Sequence, residues 1–270
     1  MNENKDKYQI PDSHPRAISL RTRHKIIEGM KNLVVAEAGL IAHGRGEAFD
    51  YIFGERTNPP AIKAMRAAVA TLILAERPII SVNGNTAILT SKELVELSEA
   101  LNSKLEINLF YRKEGRIQAI REILELAGAK EILGLNEDMM VEIEELESNR
   151  RRVDPQGINI ADVVFVPLED GDRTEALKKK GKTVIAVDLN PISRTSIHAD
   201  ITIVDNITRV LPKMIEITYE LKRYSEEQLK KIISDYNNKR NIQEMLDIIK
   251  NYIENQKEDA FKFLNNNINI

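Results

Sequence analysis

Three carboxylates, Glu169, Asp170 and Asp172, stand together in the turn Leu168-Glu-Asp-Gly-Asp-Arg173, and a fourth, Asp188, follows 18 residues after Asp170. Acids so placed can hold a hard cation, accept the hydroxyls of a ribose, or take a proton from an amine. Asp188 lies close to where a dinucleotide-binding fold keeps the acid that reads the ribose. The turn before it lacks the G-x-G-x-x-G pattern, however, and three carboxylates repel a pyrophosphate. Any phosphate therefore needs cations from elsewhere: Arg194, six residues after Asp188, and the upstream Arg23 and Arg45 are the candidates.

A second cluster is His43-Gly44-Arg45-Gly46-Glu47. Gly39 and Gly44 have the spacing of a phosphate-binding loop, but Arg45-Gly46 replaces the Lys-Ser/Thr pair that would hold phosphate and magnesium, so the P-loop reading fails. What remains is a loop whose glycines let backbone amides approach a ligand, beside a guanidinium suited to forked contact with phosphate or carboxylate. A flexible loop in which Arg45 pairs with Glu47 or Asp50 explains the same residues equally well. Further polar residues, Asn83, Asn85, Asn108 and Arg112, follow two other apolar runs. Asp205 and Asn206 end a third, and Asn206 can cap the helix after it.

The elements that must position these groups follow from patterning. The β-branched runs Val163 to Val166, Val184 to Val187 and Ile201 to Val204 read as short strands. A helical segment from Arg173 to Lys180 joins the first two into a βαβ unit of about 30 residues. Such units make parallel strands, and in an open parallel sheet ligands collect outside the carboxyl ends, where all of these polar residues fall. Upstream, the spacing predicts a helix over about Ile18 to Asn32, dense in basic residues that read mostly as a solvated face. Asn58-Pro59-Pro60 opens an alanine-rich buried helix to about Glu76, at the centre of the subunit or at a dimer interface. A strand over Pro78 to Val82 leads through a polar loop into a helix that a capping box, Thr90 with Glu93, starts. A strand from Glu106 to Phe110 precedes a helix over Arg116 to Ala127. The run from Glu142 to Arg152 reads as a solvated helix with its basic cap. Helices over Ile207 to Arg223 and after the Ser225 and Gln228 capping box complete the chain. The expectation is an α/β, Rossmann-like fold: a mostly parallel sheet flanked by helices, with a flexible tail at 1–12, a catalytic core at 13–224 and a helical C-terminal extension at 225–270.

The 270 residues carry 39 basic and 42 acidic side chains, a formal net charge of -3 that gives no reason to expect nucleic acid. There is no cysteine, which rules out disulfides and thiolate chemistry. None of His14, His24, His43 and His198 has the spacing of a helical zinc pair. The longest apolar run, Ala67 to Ala75, is too short to cross a bilayer, and the first residues lack a secretory core. A cytoplasmic protein with no membrane association is expected.

Several blocks together, SHPR, AGLIAHGRGEAFDY, SVNGN, INLFYR, RRVDPQG, VPLEDGDRTEAL, DLNPISRT and ADITIVDN, resemble the archaeal phosphopantothenate synthetases, or 4-phosphopantoate--beta-alanine ligases. The resemblance runs from Ser13 to roughly Tyr224. It implies a homodimeric enzyme of coenzyme A biosynthesis that uses ATP and Mg2+ to join 4-phosphopantoate to beta-alanine, releasing AMP and diphosphate through an acyl adenylate. Carried over by position, it implies ATP contacts from Arg23, Arg45, Asp188, Leu189, Asn190, Arg194, Thr195, Asn206 and Ile207. The chain departs from the pattern at Arg21-Thr-Arg-His24, where relatives often have aromatic residues before the arginine.

On that resemblance Arg45 and the amides around it would stabilise charge in the transition state, and Glu169, Asp170 or Asp172 would hold magnesium or handle the amine of beta-alanine. His43, Asn83, Asn85, Asn108 and Arg112 are the candidates for phosphopantoate, and the metal ligands are unknown. Two rival readings are a nucleotide-sensing module without turnover and an ATP-dependent carboxylate-amine ligase for a different acid.

Overall fold

The computed structural model describes residues 10–14, 16–146, 148–168 and 170–266. The chain opens with three helices, α1 (Ala17–Lys31), α2 (Glu37–Tyr51) and α3 (Pro59–Leu74). Alternation follows: β1 (Pro78–Val82), α4 (Gly84–Leu101), β2 (Lys104–Ile107), α5 (Arg116–Leu126) and β3 (Ile132–Leu133). Next come β4 (Val141–Glu142), β5 (Arg152–Val153), β6 (Val163–Pro167), α6 (Gly171–Lys179), β7 (Thr183–Val187), α7 (Arg194–His198) and β8 (Ile201–Ile203). Three helices close the chain, α8 (Ile207–Leu221), α9 (Glu226–Ser234) and α10 (Asn238–Asn266).

Six strands form one wholly parallel sheet in the order β3-β2-β1-β6-β7-β8, while β4 and β5 pair antiparallel as a separate ribbon. Counted within the sheet alone, the order is 3-2-1-4-5-6, the doubly wound arrangement. The central strands are buried on both faces, which is why they read as continuous apolar runs. Side-chain alternation divides them between two cores. Val163, Phe165, Ile185 and Val187 face α3, α4 and α8, whereas Val164, Val166, Val184 and Ala186 face Ala176 and Leu177 of α6. A third, smaller cluster sits over the carboxyl edge, where Phe53 and Leu189 meet Met245 and Ile249 of α10.

Helix α3 lies inside the subunit, against α8, α9 and β8, and its alanines permit that close packing. The predicted capping box of Ser225 and Gln228 is present at the start of α9. Leu229, Met245 and Ile249 bury the last two helices against the core.

Three local expectations are corrected. The segment around Gly39 to Glu47 is not a loop but the body of α2. The helix after β1 starts at Gly84, not at Thr90, because the Asn83 side chain and Thr86 cap each other's backbone; Thr90 marks a kink within the helix, with φ -143 and ψ 34. The run from Glu142 to Arg152 is the β4–β5 ribbon and a single 3-10 turn rather than a solvated helix.

Candidate functional site

The strands β1 and β6 are neighbours at the centre of the sheet, but their connections leave in opposite directions, α4 toward β2 and α6 toward β7. The first turns after them diverge, and a crevice opens where the winding reverses. A cavity of about 380 Å³ lies there. Asn83 ties the two halves together: its Oδ1 accepts from the Thr86 amide at 3.1 Å, and its Nδ2 donates to the carbonyls of Pro167 at 2.9 Å and Leu168 at 3.3 Å.

Helix α2 lies along the mouth and brings His43 and Arg45 to the cavity. Its position depends on close backbone approach. A Cβ at Gly39 would stand 2.4 Å from the Asn85 Oδ1, and the Asn85 Nδ2 donates to the Gly39 carbonyl at 2.9 Å. This is the physical role of a glycine that in the sequence resembles part of a P-loop. Because residues 43 to 47 lie within α2, their amides are committed to the helix and cannot cradle a phosphate as a loop would; the Arg45 side chain is what this segment offers.

From the other half of the sheet come Leu189, Asn206 and Ile207, all lining the same cavity. Asp188 stands behind them at the end of β7, where its carboxylate accepts from the Ser193 hydroxyl at 2.5 Å and the Asn190 amide at 2.9 Å. Burial pushes its pKa above the ordinary carboxylate value, against the opposing pull of the Ser193 and Asn190 hydrogen bonds and the positive field of Arg45. Arg45 and Asp188, far apart in sequence, are therefore neighbours. Asn206 caps α8 through its Oδ1 and donates from Nδ2 to Asp50 of α2 at 3.0 Å. Asp50 in turn takes two hydrogen bonds from Arg209, at 3.0 and 2.6 Å, and Arg209 also holds Asp205. This largely buried network clamps α2 to the carboxyl edge of the sheet.

Of the acids in the β6–α6 turn, Asp170 lines the cavity, caps α6 through the Arg173 amide at 3.0 Å and pairs with Arg150 at 2.9 Å. Asp172 turns to solvent and pairs with Arg194 at 2.7 Å, while Glu169 lies outside the described residues. Asn83 and Asn85 line the cavity at the amino end of α4.

Other predicted residues stand apart from it. Arg23 is held by Glu47 at 2.9 Å and by the Tyr51 hydroxyl at 3.1 Å. Arg194 is exposed between Asp172 and Glu175, and Thr195 is buried in the first turn of α7. Asn190 spends its Oδ1 on the Ile192 amide. Asn108 is fully buried and donates to the carbonyls of Arg152 at 3.0 Å and Arg150 at 3.4 Å, and Arg112 pairs with Glu137 at 3.3 Å. Neither of these last two lines the cavity.

Two lining arginines escape a sequence reading, Arg116 and Arg150. Arg150 lies within a charge run that resembles surface, and its partner Asp170 is 20 residues away. Arg116 left one faint signal, since a cation in the first turn of a helix opposes the helix dipole and needs some other reason to be there. His43 is partly buried, which lowers its pKa and favours the neutral imidazole.

No group of three or more acids or histidines among the described residues could hold a metal ion. Both oxygens of Asp170 are engaged, by Arg173 and Arg150, and Asp172 is tied to Arg194. The described residues thus do not form a magnesium cage.

A family profile described as phosphopantothenate/pantothenate synthetase matches residues 60–252. A protein of Thermococcus kodakarensis named 4-phosphopantoate--beta-alanine ligase is 58% identical over 238 residues, which cover 88% of this chain and 90% of that protein. One of the same name from Methanosarcina mazei is 49% identical over 245 residues, 91% of this chain and 96% of its own. Another from Methanospirillum hungatei is 46% identical over 212 residues, 78% and 86% respectively.

Proposed function

The chain belongs to the phosphopantothenate/pantothenate synthetase family, and from that premise we propose that it is an enzyme, a 4-phosphopantoate--beta-alanine ligase that makes 4'-phosphopantothenate and converts ATP to AMP and diphosphate. A carboxylate is a poor acyl donor because its leaving group would be oxide. Attack of that carboxylate on the α-phosphorus of ATP expels diphosphate and gives a phosphopantoyl adenylate. The amine of beta-alanine then adds to the acyl carbon, loses a proton, and AMP departs.

The observation that carries this reading is the convergence, in one crevice, of Arg45, Leu189, Asn206 and Asp170, with Asp188 directly behind. We assign Asp188 to the ribose hydroxyls and Leu189, Asn206 and Ile207 to the flanks of the adenosine, a reading supported by their position at the carboxyl ends of β7 and β8. Arg45 lies on the α2 side of the same half, where negative charge grows on the phosphorus oxygens as diphosphate leaves. A cation fixed there in advance stabilises that charge without reorganising. Among the described acids of the β6–α6 turn Asp170 lines the cavity, and its pairing with Arg150 would have to loosen for it to receive the ammonium of beta-alanine. A magnesium ion enters as the complex with the triphosphate, whose oxygens supply its hard ligands.

Arg23, Asn190, Arg194 and Thr195 belong to the nucleotide side by resemblance, and the ion pairs of Arg23 with Glu47 and of Arg194 with Asp172 and Glu175 must open or shift for the two arginines to reach ATP. We also place the enzyme in the cytoplasm as a homodimer. No described helix is long and apolar enough to cross a membrane, and Ile18 of α1 and Ile41 of α2 stand exposed on adjoining helices. Sedimentation at micromolar concentration tests the dimer. The reaction is tested by supplying ATP, Mg2+, 4-phosphopantoate and beta-alanine, singly omitted. AMP formed only with both organic substrates is the expected result. ADP would mean an acyl phosphate route, and ATP binding without product would mean a nucleotide sensor.

A further inference from the structure

Opening the adenylate with beta-alanine needs a proton acceptor. At neutral pH an alkyl amine is an ammonium, and its nitrogen then has no lone pair with which to attack the acyl carbon. A carboxylate that holds the ammonium as an ion pair keeps it in that unreactive form. A second group on the wall of the crevice has to take the proton.

The described acids of the crevice are otherwise engaged. Asp170 accepts from the Arg173 amide at 3.0 Å through one oxygen and from Arg150 at 2.9 Å through the other. Glu47 lines the cavity and accepts from the Ser19 hydroxyl and from Arg23 at 2.9 Å. Burial alone would raise its pKa, but these hydrogen bonds outweigh that cost and hold it below the ordinary carboxylate value, which makes Glu47 a weak base. Asp188 is bound to the Ser193 hydroxyl and the Asn190 amide, and in the ligase reading it serves the ribose.

His43 is differently placed. It lines the cavity from α2, and its Nε2 is buried without a hydrogen-bond partner among the described residues, so that nitrogen is not spent on holding the fold. Burial lowers its pKa; Glu47, four residues on and on the same face of α2, pulls it up, and Arg23 of α1 pushes it down. The other charged residues lining the cavity are Arg45, Arg116, Arg150 and Asp170. The ring is therefore mostly neutral at pH 7 and has a lone pair to give, and Glu47 stabilises the imidazolium that results.

Taking the ligase reading as its basis, we propose that His43 is the general base of the second step rather than a contact for phosphopantoate. The imidazole takes one proton from the ammonium, and the freed lone pair bonds to the acyl carbon. The bond from that carbon to the AMP oxygen then breaks, its electron pair leaving with AMP. The nitrogen loses its second proton to water, and the imidazolium returns the first to water as well. The first step, in which a carboxylate attacks phosphorus and diphosphate departs, moves no proton and makes no use of His43.

The test compares the wild type with His43→Gln and His43→Asn at pH 8. With beta-alanine, kcat is expected to fall by about 100-fold or more, as for a lost general base, while KM for 4-phosphopantoate stays within about 3-fold. Hydroxylamine is uncharged at that pH and brings its own lone pair, so hydroxamate formation by the variants should stay within about 3-fold of the wild type. Wild-type kcat with beta-alanine should be level from pH 7 to 8 and decline only below about pH 6.5, whereas that of the variants should climb about tenfold per pH unit as free amine accumulates. Hydroxylamine and beta-alanine slowed alike, or a raised KM for 4-phosphopantoate with kcat unchanged, would overturn the proposal. So would wild-type kinetics with beta-alanine in either folded variant. Should hydroxylamine fail as a substrate even for the wild type, the pH profiles decide, and variants that keep the wild-type profile refute the base. Should neither variant fold, a wild-type kcat that climbs tenfold per unit from pH 7 refutes it, and a level one supports it. A wild type that forms no AMP sinks the ligase reading and the base with it, whereas the other adverse results sink the base alone.

Discussion

Replacing Arg209 by methionine should loosen the carboxyl edge and the site together. Arg209 donates to Asp50 at 3.0 and 2.6 Å and to Asp205 at 2.8 Å, and the side chains of these acids are 5% and 0% exposed. Methionine keeps much of the volume and leaves two buried carboxylates without their cation. Breaking a buried pair costs about 3–5 kcal/mol, and since Arg209 itself is 27% exposed the lower end, about 3 kcal/mol, is expected. For a chain of this size that is a fall in Tm of roughly 6–12 °C. The pH dependence identifies the cause. Burial already raises the pKa of Asp205, against the pull of Arg209 and Thr57. An acid whose folded pKa is raised destabilises the fold above that pKa and is relieved as the pH falls through it. The deficit should thus be larger at pH 8 than at pH 5. Because Asp50 also holds Asn206, KM for ATP should rise about 10-fold at pH 8. Thermal unfolding at both pH values, with wild type alongside, is the assay. A variant within about 1 kcal/mol of wild type at pH 8, or one equally unstable at both pH values, would refute the clamp.

Arg45→Ala should lower kcat by at least about 100-fold with unfolding unchanged, as for loss of one oriented donor; near-normal turnover would remove Arg45 from the chemistry. Asp188→Asn should raise KM for ATP about 10-fold without loss of stability at pH 8, since burial already disfavours its charge; an unaltered KM would take Asp188 off the ribose. Glu106, fully buried at the end of β2, has its pKa raised by burial from 4.5 to about 7. The native state then keeps a proton that the unfolded chain has released, so stability should decline by about 3 kcal/mol as pH rises from 4.5 to 7. Denaturation of Glu106→Gln should show a flatter profile over that window. Gly84→Ala should yield a protein destabilised by at least about 2 kcal/mol and almost inactive, because its Cβ would fall 2.0 Å from the Val34 oxygen. A stable, active Gly84→Ala would mean the backbone there yields.

What could be read from the chain beforehand was what local order controls. The runs around Val164, Ile185 and Ile203 announce buried parallel strands, and their abrupt polar ends place Asp170, Asp188 and Asn206 on one edge. The Ser225 and Gln228 box marks a helix start for reasons contained in four residues. Helix α2 is illegible because two of its three glycines answer to distant partners, Gly39 to Asn85 and Gly46 to Leu189, and because its apolar residues form no single stripe. Arg116 and Arg150 were hidden for the same reason. Their significance lies in Val34, Tyr111 and Asp170, contacts that only the folded chain creates. Conversely, Asn108 and Arg112 follow a strand as ligand-binding residues often do, yet one supports the Arg150 segment and the other pairs with Glu137.

The most direct measurement concerns the bond that the crevice is held to make, between the carboxylate of the acid and the α-phosphorus of ATP. With 4-phosphopantoate labelled by 18O in its carboxyl group, turnover in the presence of ATP, Mg2+ and beta-alanine should deliver one labelled oxygen to AMP for each amide formed. Label found in inorganic phosphate with ADP as co-product, or amide formed with no label leaving the acid for AMP, would contradict the account.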